Sequence, residues 1–154
     1  MPKEIKYGRV SGPVVEVGDW PIAASVVFSN RGGKFVIVDA NNRIDRAGAT
    51  DQTIIGWLNI GVAGSGTTFT SSATAGQSKG PVNVSHLSVY RMPTDSDPAN
   101  TRGETADLIV TSNVQYVNPD ASAIDIVQIL EVDTADDTVD VRLWTPNVTS
   151  RAVA

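Results

Sequence analysis

Short runs of apolar, β-branched residues, each closed within a few positions by Gly, Pro, Asn or Asp, constrain this chain more than anything else in it. Lys34-Phe35-Val36-Ile37-Val38 lies between the Gly32-Gly33 corner and the turn Asp39 to Asn42. Arg43 to Ala47 is placed to return antiparallel. Other runs of this kind are Val14 to Val17, Ile22 to Phe28, Thr53 to Ile60, Asp107 to Thr111 and Val114 to Val117. Gly56 interrupts the Thr53–Ile60 run, which marks a bulge or a close approach of another backbone. Pro81 to Val84 and Leu87 to Tyr90 alternate in opposite phases, which predicts a bulge at Ser85-His86.

Ile124 to Val132 fits either a helix or a buried strand by periodicity. The hairpin pattern that follows decides for a strand: two β runs, Val127 to Val132 and Thr138 to Trp144, flank the polar turn Asp133 to Asp137. A short helix near 122–126 stays open. Residues 61–80, rich in Gly, Ser, Thr and Ala, are expected as a long mobile loop or a hairpin with a short strand at 67–70. Residues 1–12 alternate charge with few apolar groups and are broken by Gly8 and Gly12, so they are expected as an extended N-terminal arm. The expected fold is mainly β: one antiparallel barrel or sandwich-like domain at 13–154, with long loops, preceded by the arm at 1–12.

A chain of 154 residues has length enough for one core without staples. The absence of cysteine removes disulfides, thiolate metal sites and a Cys nucleophile. The apolar stretch Ile22 to Phe28 falls far short of the ~20 residues a membrane helix needs. The N-terminus lacks the apolar region of a secretion signal. Neither a membrane nor a nucleic acid is expected as partner. The net charge is −5, with +2 in residues 1–50 and −6 in residues 101–154, and no basic stripe exists to follow phosphates.

No residue set forces a catalytic, cofactor or metal site. His86 is the lone histidine; Ser85 beside it on a strand points to the opposite face and cannot form a nucleophile–base pair with it. Asp133, Asp136, Asp137 and Asp140 are weighed as a weak cation site against an ordinary Asp-rich turn; the spacing lacks the Gly and Glu of an EF-hand, and the turn is preferred. Gly61 to Gly66 lacks the Lys of a phosphate-binding loop. Asn83-Val84-Ser85 and Asn147-Val148-Thr149 match the glycosylation acceptor pattern and read as chance matches. Trp20, Trp57 and Trp144 are scattered and read as core or interface packing.

Gly33 to Ala47, followed by Ile54-Ile55-Gly56-Trp57-Leu58, resembles the small β-structured decoration (cement) proteins of tailed-phage heads, in about 25 residues. The shared pattern is a strand, a short Asn/Asp turn, a brief return strand with Ala, and a strand written apolar-Gly-aromatic. The resemblance implies a structural virion protein, made in the host cytoplasm, that binds the outside of an icosahedral shell. Its partners would be the major capsid protein and two further copies of itself in a homotrimer. Contact would come from the arm by strand addition, with Lys3, Ile5, Tyr7 and Arg9 in it, and from Trp20 and Trp57 as anchors. The arm residues fit simple disorder equally. Two other functions remain open: a carbohydrate-binding or adhesin-like module of a fibre or tail, and a carboxylate-dependent hydrolase.

Overall fold

The computed structural model describes residues 7–51, 53–60 and 68–144, and these form antiparallel sheets without a helix. The first strands are β1 (Gly8–Ser11), β2 (Glu16–Pro21), β3 (Val27–Ser29), β4 (Phe35–Val38), β5 (Ile44–Arg46) and β6 (Gly56–Leu58). They are followed by β7 (Thr68–Thr70), β8 (Lys79–Asn83), β9 (Val89–Pro93), β10 (Thr105–Thr111), β11 (Val114–Asn118), β12 (Val127–Asp133) and β13 (Thr138–Leu143). One sheet has six strands in the order β1-β9-β13-β12-β10-β11; a second has five, β2-β8-β6-β4-β5; β3 and β7 form a two-stranded ribbon.

The five-stranded sheet is covered on both faces. Phe35 and Trp57 belong to the core shared with the six-stranded sheet, together with Tyr90, Met92, Leu108, Val127, Ile129 and Val141. Their immediate neighbours Val36 and Leu58 join Ile22, Phe28, Ile44 and Val82 in a second core on the other face, where Phe69 of the ribbon packs. Adjacent strand residues point to opposite faces, so a strand with both faces buried is written as an unbroken apolar run. That is why Phe35-Val36 and Trp57-Leu58 carry no polar alternation. The arrangement is sandwich-like and no sheet closes into a barrel, although Val117 of β11 bridges back to Thr94.

The hairpins expected at Lys34–Ala47 and Val127–Trp144 form as β4–β5 and β12–β13, and the strand runs expected at Asp107–Thr111 and Val114–Val117 pair with each other as β10–β11. Gly56 meets the expectation of a close approach: a Cβ there would run into the Asn83 carbonyl of β8.

Three expectations change. Ile22–Phe28 is not one strand: it breaks at Ser25, whose φ is +55°, and only Val27 and Phe28 enter β3. Ser85-His86 is not a bulge within a strand but a corner, where the chain leaves β8 in one sheet for β9 in the other. Residues 122–126 are irregular and not helical; the Asp107 carboxylate holds them by accepting from the N–H groups of Ala123, Ile124 and Asp125. Within 61–80, residues 61–67 lie outside the described residues; the short strand expected at 67–70 forms as β7 at Thr68–Thr70, and the end of the stretch supplies the start of β8. Of the expected arm, residues 1–6 lie outside the described residues, and Gly8–Ser11 pair with β9 as an edge strand of the chain's own sheet, so the sheet begins before residue 13.

Candidate functional site

Two crossovers between the sheets meet at one corner. β1 pairs with β9 in the six-stranded sheet and the next strand, β2, pairs with β8 in the five-stranded one. The chain therefore crosses at 12–15 and crosses back at 84–88. Asn83 ties the crossings together. Its Oδ1 accepts from Val15 N (3.0 Å) and Ser85 N (3.1 Å), and its Nδ2 donates to Ser88 Oγ (2.9 Å) and to the Tyr90 hydroxyl oxygen (2.6 Å). Ser88 Oγ in turn donates to the Pro13 carbonyl. All four hydrogen-bonding positions of the amide are filled. With its side chain buried and engaged, Asn83 is not a glycosylation acceptor; Asn147 lies outside the described residues.

Beneath this corner is a cavity of about 330 Å³. Tyr7, Gly8 and Arg9 line it from the start of the chain, Lys34, Trp57 and Leu58 from the five-stranded sheet, and Asn83 and Tyr90 from the second crossing. Its aromatic wall is well ordered by packing. Trp57 stacks on Tyr90 at 4.2 Å between ring centres, and Phe35 meets both edge-on, at 4.9 and 5.4 Å. Burial pushes the Tyr90 hydroxyl up to about 12, against the partial relief given by its hydrogen bonds to Ser88 and Asn83, so it stays protonated at any physiological pH.

Lys34 is the unusual member of the wall. It is 7% exposed, and among the described residues its ammonium has no ion-pair or hydrogen-bond partner. The nearest compensation is the Trp57 ring, whose centre lies 6.0 Å away, at the outer limit of a cation–π contact. Desolvation alone draws the Lys34 pKa below its ordinary value. Arg9, the second cation of the wall, donates from its guanidinium to the Gly12 carbonyl at 3.0 Å.

The outer surface of the same corner is apolar. Among the described residues, Val10, Val14, Val15, Val17 and Leu87 are the large exposed hydrophobic residues, each between 41% and 54% exposed. All belong to β1, β2 or the crossings. Among the described residues, β1 and β2 are also the terminal strands of their sheets, so each has one edge that no other described strand pairs. Register shifts at Arg9/Ser11 and Val17/Trp20 put a bulge into each edge.

Of the residues expected to meet a partner, Tyr7, Arg9 and Trp57 converge on the cavity wall. Trp57 is therefore not an outward anchor: it is 5% exposed and held between rings. Trp20 is half-buried against the second core, with its indole N–H buried and unpaired. Lys3 and Ile5 lie outside the described residues. His86 is exposed on the second crossing. In the aspartate group, Asp133 accepts from the N–H groups of Ala135 and Asp136, the ordinary bonding of an Asp turn, and Asp140 pairs in a forked contact with Arg91 at 2.9 and 3.1 Å. Among the described residues no group of three or more acidic, histidine or cysteine side chains is arranged for a metal. The Gly61–Gly66 stretch lies outside the described residues.

Sequence reasoning missed Lys34, Asn83 and Val15. In the sequence Lys34 reads as the polar end of a strand, and only its place between two closely packed layers buries it. Comparison with protein-family models, curated proteins and solved structures gives no match.

Proposed function

We propose that this chain is a structural binding protein that lies against other protein subunits in many copies, as a decoration protein on the outside of an icosahedral phage shell. The observation that carries this is the corner itself. Five exposed apolar side chains surround two strand edges that no other described strand pairs, and free edges flanked by apolar groups are the feature by which sheets take up protein partners. The bulges in β1 and β2 blunt long strand addition, so the valines supply the larger part of the contact. The capsid as partner, and the trimer, come from the resemblance of residues 33–58 to phage cement proteins. Burial of about 1,200 Å² per contact is the scale a specific interface needs. Repetition over a shell converts a modest contact into firm attachment through avidity.

The test is co-sedimentation with undecorated heads. Wild-type protein binds to saturation at a fixed copy number per shell. Val15→Asp with Val17→Asp reduces binding at least about tenfold while the fold, followed by circular dichroism, is retained. Light scattering of the free protein reports a trimer mass. Failure of wild-type protein to sediment with any shell at micromolar concentration refutes the capsid as partner. Unimpaired binding by the double variant refutes the corner as the contact.

A further inference from the structure

The cavity under the corner has features that shell attachment does not use. Its volume is at the small end of the ~300–1,000 Å³ typical of ligand sites. Leu58, Ile60, Val14 and the Trp57 ring give it an apolar side, in a lining whose other side is polar and includes Asn30 and Asn59. Among the described residues, the charged groups in its lining, Lys34 and Arg9, are both cations and no carboxylate lines it. The Lys34 side chain is buried along most of its length and its ammonium has no counter-ion among the described residues, so its charge faces the cavity with only part of its water. An anion entering the cavity restores what burial took away. The Asn83 amide has no spare position, and the Tyr90 hydroxyl is engaged with Asn83 and Ser88, so the polar recognition falls to Lys34 with Arg9 beside it.

We propose that this cavity binds a small organic carboxylate, its head on the Lys34 ammonium and its apolar body against Leu58, Ile60 and Trp57. The single buried cation fits a monoanion, and the apolar side favours an aromatic or short aliphatic acid over inorganic anions. Arg9 sits at the arm side of the cavity and draws the acid in from solvent. The ligand is enclosed by β1, so occupancy secures the strand that borders the apolar corner.

Benzoate, hexanoate and the neutral isostere benzamide are the probes, titrated against the full chain by calorimetry and by heteronuclear NMR. The expected result is saturable benzoate binding, with shifts at the amides of Lys34, Trp57 and Tyr90. Benzamide binds about tenfold or more weaker, as loss of a charged hydrogen bond requires. Lys34→Met loses benzoate affinity by at least the same factor yet unfolds no earlier than wild type. Benzoate affinity also falls on raising the pH as the Lys34 ammonium titrates, which desolvation places below the ordinary lysine value. Should Lys34→Met fail to fold, Arg9→Gln and the benzoate–benzamide ratio carry the test. The inference is overturned if neither acid binds saturably at millimolar concentration, if benzamide binds as well as benzoate, or if Lys34→Met retains wild-type affinity.

Discussion

A buried glutamine joins the two large sheets. Gln115 of β11 is fully buried; its Oε1 accepts from Phe35 N at 3.0 Å, and its Nε2 donates to the carbonyls of Phe35 (3.0 Å) and Ala47 (2.9 Å). Gly33 N donates to the Gln115 carbonyl at 2.9 Å, so backbone and side chain act at the same point. Gln115→Leu keeps the volume but strands two buried backbone groups, the Phe35 N–H and the Ala47 carbonyl, while the Phe35 carbonyl still accepts from Ala47 N. The expected loss is at least ~2 kcal/mol, seen as a lower urea midpoint at unchanged slope. Gly56→Ala acts through space rather than bonding: the new methyl meets the Asn83 carbonyl, and overpacking costs ~1–3 kcal/mol, read as a lower thermal midpoint. These two residues differ in how far the sequence betrays them. A glycine inside an apolar run announces a close neighbour by its mere position. Gln115, between Val114 and Tyr116, does not reveal which face of its strand is inside, so a sheet-joining amide looks like any solvent-facing polar group. Asn83 is hidden in the same way, and it is the residue that holds the candidate site together.

At the scale of elements, local pairings were legible and distant ones were not. β4–β5, β10–β11 and β12–β13 are hairpins whose turn residues and β-branched flanks sit within a few positions of each other. The pairings β1–β9 and β2–β8 join residues about sixty to eighty positions apart, and nothing in either partner names the other. Ile22–Phe28 shows the same limit. Its apolar content is real and buried, but its backbone is served by distant groups: Ala23 N donates to Ile44 O, Ser25 N to Ser72 O, and Val26 N to Ser71 Oγ. Such long-range partners let an apolar run stay irregular where periodicity predicts a strand. The arm is the element with most consequence for function. As an edge strand it covers part of β9 and borders the cavity, so removal of residues 1–12 exposes Tyr90 and frees the β9 edge. The expected outcome is a clear fall in the urea midpoint of the truncated chain. An arm that only reached outward to a partner would leave that midpoint where it was.

On the scale of the whole molecule, three layers leave their polar seam at one corner, and the seam's two buried titratable groups govern alkaline stability with opposite sign. The cavity's lining comes from several separate segments, which is why no motif in the chain marked it. Tyr90 titrates at about 12 in the folded protein and near 10.0 when unfolded. Above pH 10 the unfolded chain gives up that proton while the folded one keeps it, so the folded state binds more protons and stability falls as pH rises towards 12. That difference corresponds to at most about 2.7 kcal/mol. Tyr7, also raised chiefly by burial, acts in the same direction. Lys34 works the other way. Its folded pKa lies below the ordinary 10.5, so between that lowered value and 10.5 the unfolded chain holds the extra proton, and stability rises with pH. Wild-type protein should therefore gain stability on the approach to pH 10 and lose it beyond. Lys34→Met removes the rise. Tyr90→Phe keeps the ring stack but forfeits the Asn83 bond, so it is less stable at neutral pH by ~1 kcal/mol. Its deficit against wild type then shrinks above pH 10, because only wild type carries the Tyr90 penalty. Urea unfolding of the three proteins from about pH 8 to about pH 11 measures both effects. A Tyr90→Phe deficit that stays constant across that range would show that the hydroxyl titrates freely, and that the seam admits water.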